Sequence, residues 1–153
     1  MIKKIAILLL VLVSAILIAV PLVTYNHALS LLDSMPSKAI ELNITNDELQ
    51  KQWSQNEPNV QLIEVHNITP FWFYKWLSVA VLNDFLSVKG LDPHTNSSLM
   101  ASQIAITHMR QISAINNTKG MTWWHLLHAS LSIYIQRNWS ATEILAKYNE
   151  ISS

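Results

Sequence analysis

The chain has 153 residues, a formal net charge of zero, no cysteine and only two glycines, Gly90 and Gly120. The balanced charge gives no electrostatic reason to capture nucleic acid and no polybasic patch for a membrane surface. The missing cysteines remove disulfides, thiolate-held zinc and thiol catalysis, and two glycines are too few for a phosphate-cradling loop.

The length suffices for one domain with a core. Scarce glycine beside abundant Leu, Ile and Ala favours helices. Met1-Ile2-Lys3-Lys4 opens with two cations, and from Ile5 to Val20 every residue except Ser14 is apolar. Leu22 and Val23 carry the run past Pro21. About 20 apolar residues span the hydrocarbon core of a bilayer as a helix. A secretory signal has a shorter apolar region and a small-residue cleavage site, which this run lacks. The expected element is an uncleaved anchor over residues 1–24, in the bilayer through residues 5–23. Lys3 and Lys4 would stay in the cytoplasm and Thr24 onward would lie outside it.

Residues 25–68 read as a mixed neck. Pro36 breaks any helix that continues from the membrane. Asn46-Asp47-Glu48-Leu49 starts a polar helix to about Ser54, with Pro58 ending it, and Val60 to His66 is rich enough in β-branched residues to predict a short strand or extended segment. The helical domain is expected over 69–153. Thr69-Pro70 is a helix start, with threonine as cap and proline in the first turn. The run from Phe71 to Val88 is strongly apolar but is interrupted by Lys75, Asn83 and Asp84. It predicts a buried or membrane-grazing helix ended by Gly90. Leu91-Asp92-Pro93 is a turn.

Ser97 or Ser98 starts a helix over 98–114 that carries the stripe Met100, Ile104, Met109, Ile112. A polar break at Asn116–Gly120 precedes a helix over 121–137 with Trp123, Leu126, Leu127, Leu131, Ile133 and Ile135. Ser140 followed by Glu143 is a capping-box pattern that opens a last helix over 141–149, with Ile144, Leu145 and Tyr148 on one stripe.

Four motifs, in order, resemble those of the family 51 peptidoglycan glycosyltransferases, the lysozyme-like transglycosylase domain of penicillin-binding proteins, and most of all its monofunctional, membrane-anchored members. Ile68-Thr69-Pro70, Ala80-Val81-Leu82-Asn83-Asp84-Phe85 and Lys89-Gly90-Leu91-Asp92-Pro93 follow the family's "I-S-P … A-V-I-A-x-E-D-x-x-F-x-x-H-x-G-x-D-P". Ser98 to Ala105 is similar to "G-S-T-I-x-Q-Q-x-A", and Gly120 to Ala129 to "G-R-S-W-x-R-K-x-x-E-A". Gln136, Trp139-Ser140, Ile144-Leu145 and Tyr148 match "E-x-x-W-S-K-x-x-I-L-x-x-Y". The resemblance implies a mainly α chain, an N-terminal transmembrane helix followed by a small lysozyme-like domain, set in a bacterial-type inner membrane with the domain in the periplasm.

Where the sequence departs from the family, charge chemistry is lost. Transfer from a lipid-linked sugar needs a base for the attacking hydroxyl and cations for the departing pyrophosphate. The family's first glutamate falls at Val81 or Asn83, its second at His128, and no glutamate stands between Glu64 and Glu143. The Arg-Lys pair falls near Trp124 and His125, and the lysine of "Q-Q-x-A-K" at Ile106. Asp84 is the one carboxylate near the base position, a weak catalytic candidate that reads more simply as a polar residue at a helix end. Ser98, Gln103, His125 and His128 are the candidate substrate-binding residues. His125 and His128 stand at i, i+3, close enough to share a metal, yet no third ligand follows from spacing, and neither metal nor cofactor is expected.

The aromatics Trp72, Phe73, Trp76, Trp123 and Trp124 suit a lipid-facing belt or an ordinary core equally. The expected function is that of a glycosyltransferase-like protein without catalysis that binds lipid-linked peptidoglycan precursor, glycan or a cell-wall synthesis partner. A divergent active glycosyltransferase and a helical subunit of an envelope complex are the alternatives.

Overall fold

The computed structural model describes residues 2–58, 60–62, 65–75, 78, 98–112 and 120–152. Asp84, Trp76, the expected helix end at Gly90, the Leu91–Pro93 turn and most of the polar break before Gly120 lie outside the described residues. The chain is mainly helical, as expected, and opens with one long apolar helix. Among the described residues the long helices are α1 (Ile2–Ser30), α2 (Asn46–Asn56), α3 (Leu99–Gln111), α4 (Met121–Asn138) and α5 (Ala141–Ser152).

Helix α1 is long and apolar enough to cross a membrane. It runs past residue 24 because its last turns have something to bury against. Tyr25 and Ala28 are buried, Tyr25 in a cluster with Ile68, Phe73, Ala129 and Ile133. Pro21 sits inside the helix. Having no N–H, it leaves the carbonyl four residues back, that of Leu17, without its helical donor. The Tyr74 hydroxyl donates to that carbonyl instead. The helix closes in tight i→i+3 bonds, Leu31 N–H to the Ala28 carbonyl (3.1 Å) and Leu32 N–H to that of Leu29 (3.2 Å).

Residues 31–45 run without regular structure to α2, and two ties fasten this segment to the start of α5. Lys38 Nζ meets Glu143 Oε2 at 2.8 Å, and Glu41 Oε1 accepts from the Thr142 (2.6 Å) and Ser140 (3.2 Å) hydroxyls. Thr45 opens α2 with a full capping box, its Oγ1 accepting from Glu48 N–H at 3.3 Å and its own N–H donating to Glu48 Oε2 at 3.1 Å. Leu49 and Trp53 are the buried face of this polar helix.

The strand or extended segment expected over Val60–His66 is a correction: its described residues form no strand. The backbone groups of Val60 are spent locally. The Val60 N–H reaches the Glu57 carbonyl (3.3 Å), and the Val60 carbonyl accepts from the Trp53 indole (3.0 Å). With those groups taken, β-branched composition has no ladder to enter, and Val60 and Val65 serve as core residues. At Thr69-Pro70 the chain does turn helical. Trp72, Phe73 and Tyr74 N–H groups bond to the carbonyls three residues earlier.

Helix α4 is central. Leu127, Leu131 and Ile135, four residues apart, join Trp139 in the main cluster, while Ala129 and Ile133 face the cluster that holds Tyr25. A helix apolar on opposite sides is one with neighbours on both, and α4 lies against α3 and α1. On α3, Met100, Ala101, Ile104, Ala105 and Met109 are buried, and on α5, Ile144, Leu145 and Ala146. The main cluster also takes Ala28, Leu49, Trp53 and Val65. The core therefore draws on residues 25–68 as well as on 69–153.

Candidate functional site

The best-formed polar arrangement among the described residues surrounds the start of α3. Ser98 has extended backbone (φ −65°, ψ 122°), and its hydroxyl oxygen accepts from the Ala101 N–H at 3.1 Å. That hydroxyl donates in turn to Glu57 Oε1 at 2.7 Å, and the same oxygen accepts from the Met100 N–H at 2.7 Å. Glu57, only 2% exposed, thus lies across the N-terminus of α3, where a negative charge is favoured by the helix dipole. It follows directly on α2, whose terminal Trp53 carbonyl accepts from the Glu57 N–H at 2.7 Å. Burial pushes its carboxyl above the usual carboxylate range, against the opposing pull of the bonds from Met100, Ser98 and Leu99.

The third member is Gln136, fully buried on α4. Its Oε1 accepts from the Ser98 N–H at 3.0 Å and its Nε2 donates to the Ser132 carbonyl at 3.2 Å. Its backbone carbonyl receives His66 Nδ1 at 2.7 Å. A carbonyl only accepts, so His66 carries its proton on Nδ1 there.

One turn along α3 a second cluster forms. His128 Nε2 lies 2.9 Å from Ser102 Oγ and 3.3 Å from the Ser102 carbonyl. Its ring is tilted against Trp124 at a centroid distance of 5.7 Å, and His125 meets the same indole edge-on at 5.1 Å. The two pairings, Ser98 with Gln136 and Ser102 with His128, show α3 and α4 running antiparallel.

Of the sequence candidates, Ser98 and His128 come to one seam, a helical turn or about 6 Å apart along α3. His125 stands beside His128 on Trp124. Gln103 is exposed and off the seam, next to Ser102. Asp84 lies outside the described residues. No group of three His, Asp or Glu that could hold a metal occurs among the described residues.

Glu57 escapes a reading by motif, because it falls upstream of every stretch that resembles the family. One signal marks it: a carboxylate directly after α2, where that helix's own dipole disfavours it. Elsewhere a groove of ≈ 70 Å³ is lined by Pro36, Ile104, Thr107, His108, Lys147 and Glu150. It has room for a few waters and not for a sugar. No family model matches the sequence, and no curated protein or solved structure matches it either.

Proposed function

We propose that this is a membrane-anchored, peptidoglycan glycosyltransferase-like protein that binds lipid-linked cell-wall precursor, glycan or a cell-wall synthesis partner without turning it over. The supporting observation is how the motif-matching polar side chains are used. Ser98 is fully buried as a helix cap on Glu57, and the second-glutamate position is a histidine bonded to Ser102 and laid on an indole. An imidazole engaged by Ser102 and the indole does not supply the paired cations with which an Arg-Lys pair clamps a pyrophosphate. The anchor would lie in a bacterial-type inner membrane, Lys3 and Lys4 inside and the domain in the periplasm, by the positive-inside rule.

One observation favours a second reading, a divergent but active glycosyltransferase. Glu57 is a buried carboxylate with a raised pKa, beside Ser98, in the manner of an acid–base residue. Detergent-solubilised full-length protein, given lipid-linked disaccharide precursor, separates the two. Saturable binding without polymer, weakened by His128→Ala, is expected. Polymer formation that Glu57→Gln abolishes would establish the enzyme instead. If neither precursor nor glycan strands bind at near-millimolar levels, the protein works through protein contacts alone, as a helical subunit of an envelope complex.

A further inference from the structure

We propose that the turn at Phe71–Tyr74 is a second membrane contact, held at a fixed depth beside the anchor by the Tyr74 hydroxyl on the carbonyl that Pro21 leaves free. The proposal rests on α1 crossing a bilayer and on no glycan chemistry. Three observations carry it. Pro21 cannot donate to Leu17, and Tyr74 does. Leu17 lies within the apolar run that ends at Val23, and at 1.5 Å rise per residue it sits roughly 9 Å inside that edge. The surface of α1 around it is apolar and open, with Ile16, Ile18, Val20 and Val23 each about half exposed or more.

An orphan carbonyl is tolerated in water but costly in hydrocarbon, where nothing else can donate to it. A phenol is suited to that place, since its ring is apolar and its one polar atom is consumed by the bond. The neighbouring residues then sort by side. Phe73 is buried against Tyr25 and Ile68, fixing the turn to the domain. Phe71, whose carbonyl accepts from the Tyr74 N–H, stands 42% exposed. The occupant that fits is the lipid already required by α1, because Tyr74 meets α1 inside its apolar run and Phe71 of the same turn is exposed. In this arrangement Tyr74 sets the height of the domain above the bilayer: the anchor cannot slide along the domain without stranding the Leu17 carbonyl.

The absence of native cysteine allows single-site labelling. Full-length protein carrying a fluorophore at Phe71→Cys is reconstituted into phosphatidylcholine–phosphatidylglycerol bilayers doped with acyl-chain spin-labelled lipid. Leu10→Cys on α1 and Ser54→Cys on α2 are the references. The expected result is lipid quenching at positions 10 and 71 and iodide quenching at 54. Adding Tyr74→Phe, which keeps the ring, should cause loss of lipid quenching at 71 but not at 10. Pro21→Ala restores a backbone donor for Leu17, and in that background Tyr74→Phe should have a smaller effect. Quenching at 10 but iodide access at 71 overturns the second contact alone. No lipid quenching at either position overturns both it and the anchor. An unchanged signal at 71 in Tyr74→Phe overturns the depth-setting role of the hydroxyl. Circular dichroism of each variant confirms that it is folded before quenching is read.

Discussion

Glu57 and Glu143 titrate in opposite senses. Burial pushes Glu57 up, so folding favours its protonated form. Its contribution is full below the ordinary value of 4.5 and is lost as pH rises through its raised folded value. Acidification from neutral toward 4.5 should therefore stabilise the domain, and Glu57→Gln should remove that part of the slope. Melting temperature against pH for the two proteins checks this, and parallel curves refute it. Burial also pushes Glu143 up, but the Lys38 ammonium and the Ser140 N–H outweigh it and hold the carboxyl below 4.5. Its contribution is present above 4.5 and fades as pH falls through the lowered value. Ser130 gives a simpler test. It is fully buried on α4 and its hydroxyl has no partner. Ser130→Ala removes an unsatisfied group and adds helix propensity, so a gain of about 1 kcal/mol in denaturant unfolding is expected. Ser98→Ala should go the other way by about 1–2 kcal/mol, since it removes a cap and strips Glu57 of a donor. The network at Ser98 was half legible: a serine before an apolar run announces a cap, but nothing local says that the cap is itself held by a glutamate 41 residues upstream.

At the scale of the element, the helices form where period and caps agree. The Ser140–Glu143 box is present in both directions, Glu143 N–H to Ser140 Oγ at 3.1 Å and Ser140 N–H to Glu143 Oε2 at 2.7 Å. It fixes the corner after α4, so that Ile144 and Leu145 turn into the core. Helix α4 packs against both α1 and α3. Leu131 is fully buried at its centre, and Leu131→Ala should cost about 2–5 kcal/mol, the range for an aliphatic truncation that leaves a cavity. Exposed Leu99 (47%) on α3 is the control, expected to shift the unfolding midpoint little when truncated. The segment after α2 shows where composition misleads. β-branched residues favour a pleated surface with a strand beside it, and here Trp53 and Glu57 engage the Val60 backbone first.

At the scale of the whole molecule, the anchor and the domain are one packed body. Tyr25 and Ala28 of α1 are buried in the same clusters as α4 side chains, and His27 meets Trp123 edge-on at 5.3 Å. A chain that starts at Thr24 keeps these contacts, whereas one that starts at Asp33 loses them and exposes Ala129 and Ile133. The first should retain a cooperative thermal transition, and the second should melt at least several degrees lower or lose the transition. Equal melting of the two would mean that α1 contributes no packing.

The helical class, the apolar first helix, a serine start at 97 or 98, the cap at Ser140 and the stripes of α3, α4 and α5 are legible in the sequence alone. Each depends on residues within a turn or two of one another, and the periods of apolar residues record them directly. Tertiary structure decided what those elements meet. It carried α1 on to Ser30 by giving Tyr25 a partner and turned the β-branched stretch into core. It drew Glu57 across the start of α3, and it brought Tyr74 to a carbonyl freed by a proline 53 residues earlier, as the bond from Tyr74 to Leu17 records. Such pairings are set by how helix faces stack, and the spacing of residues along one segment carries no trace of the segment that will cover it.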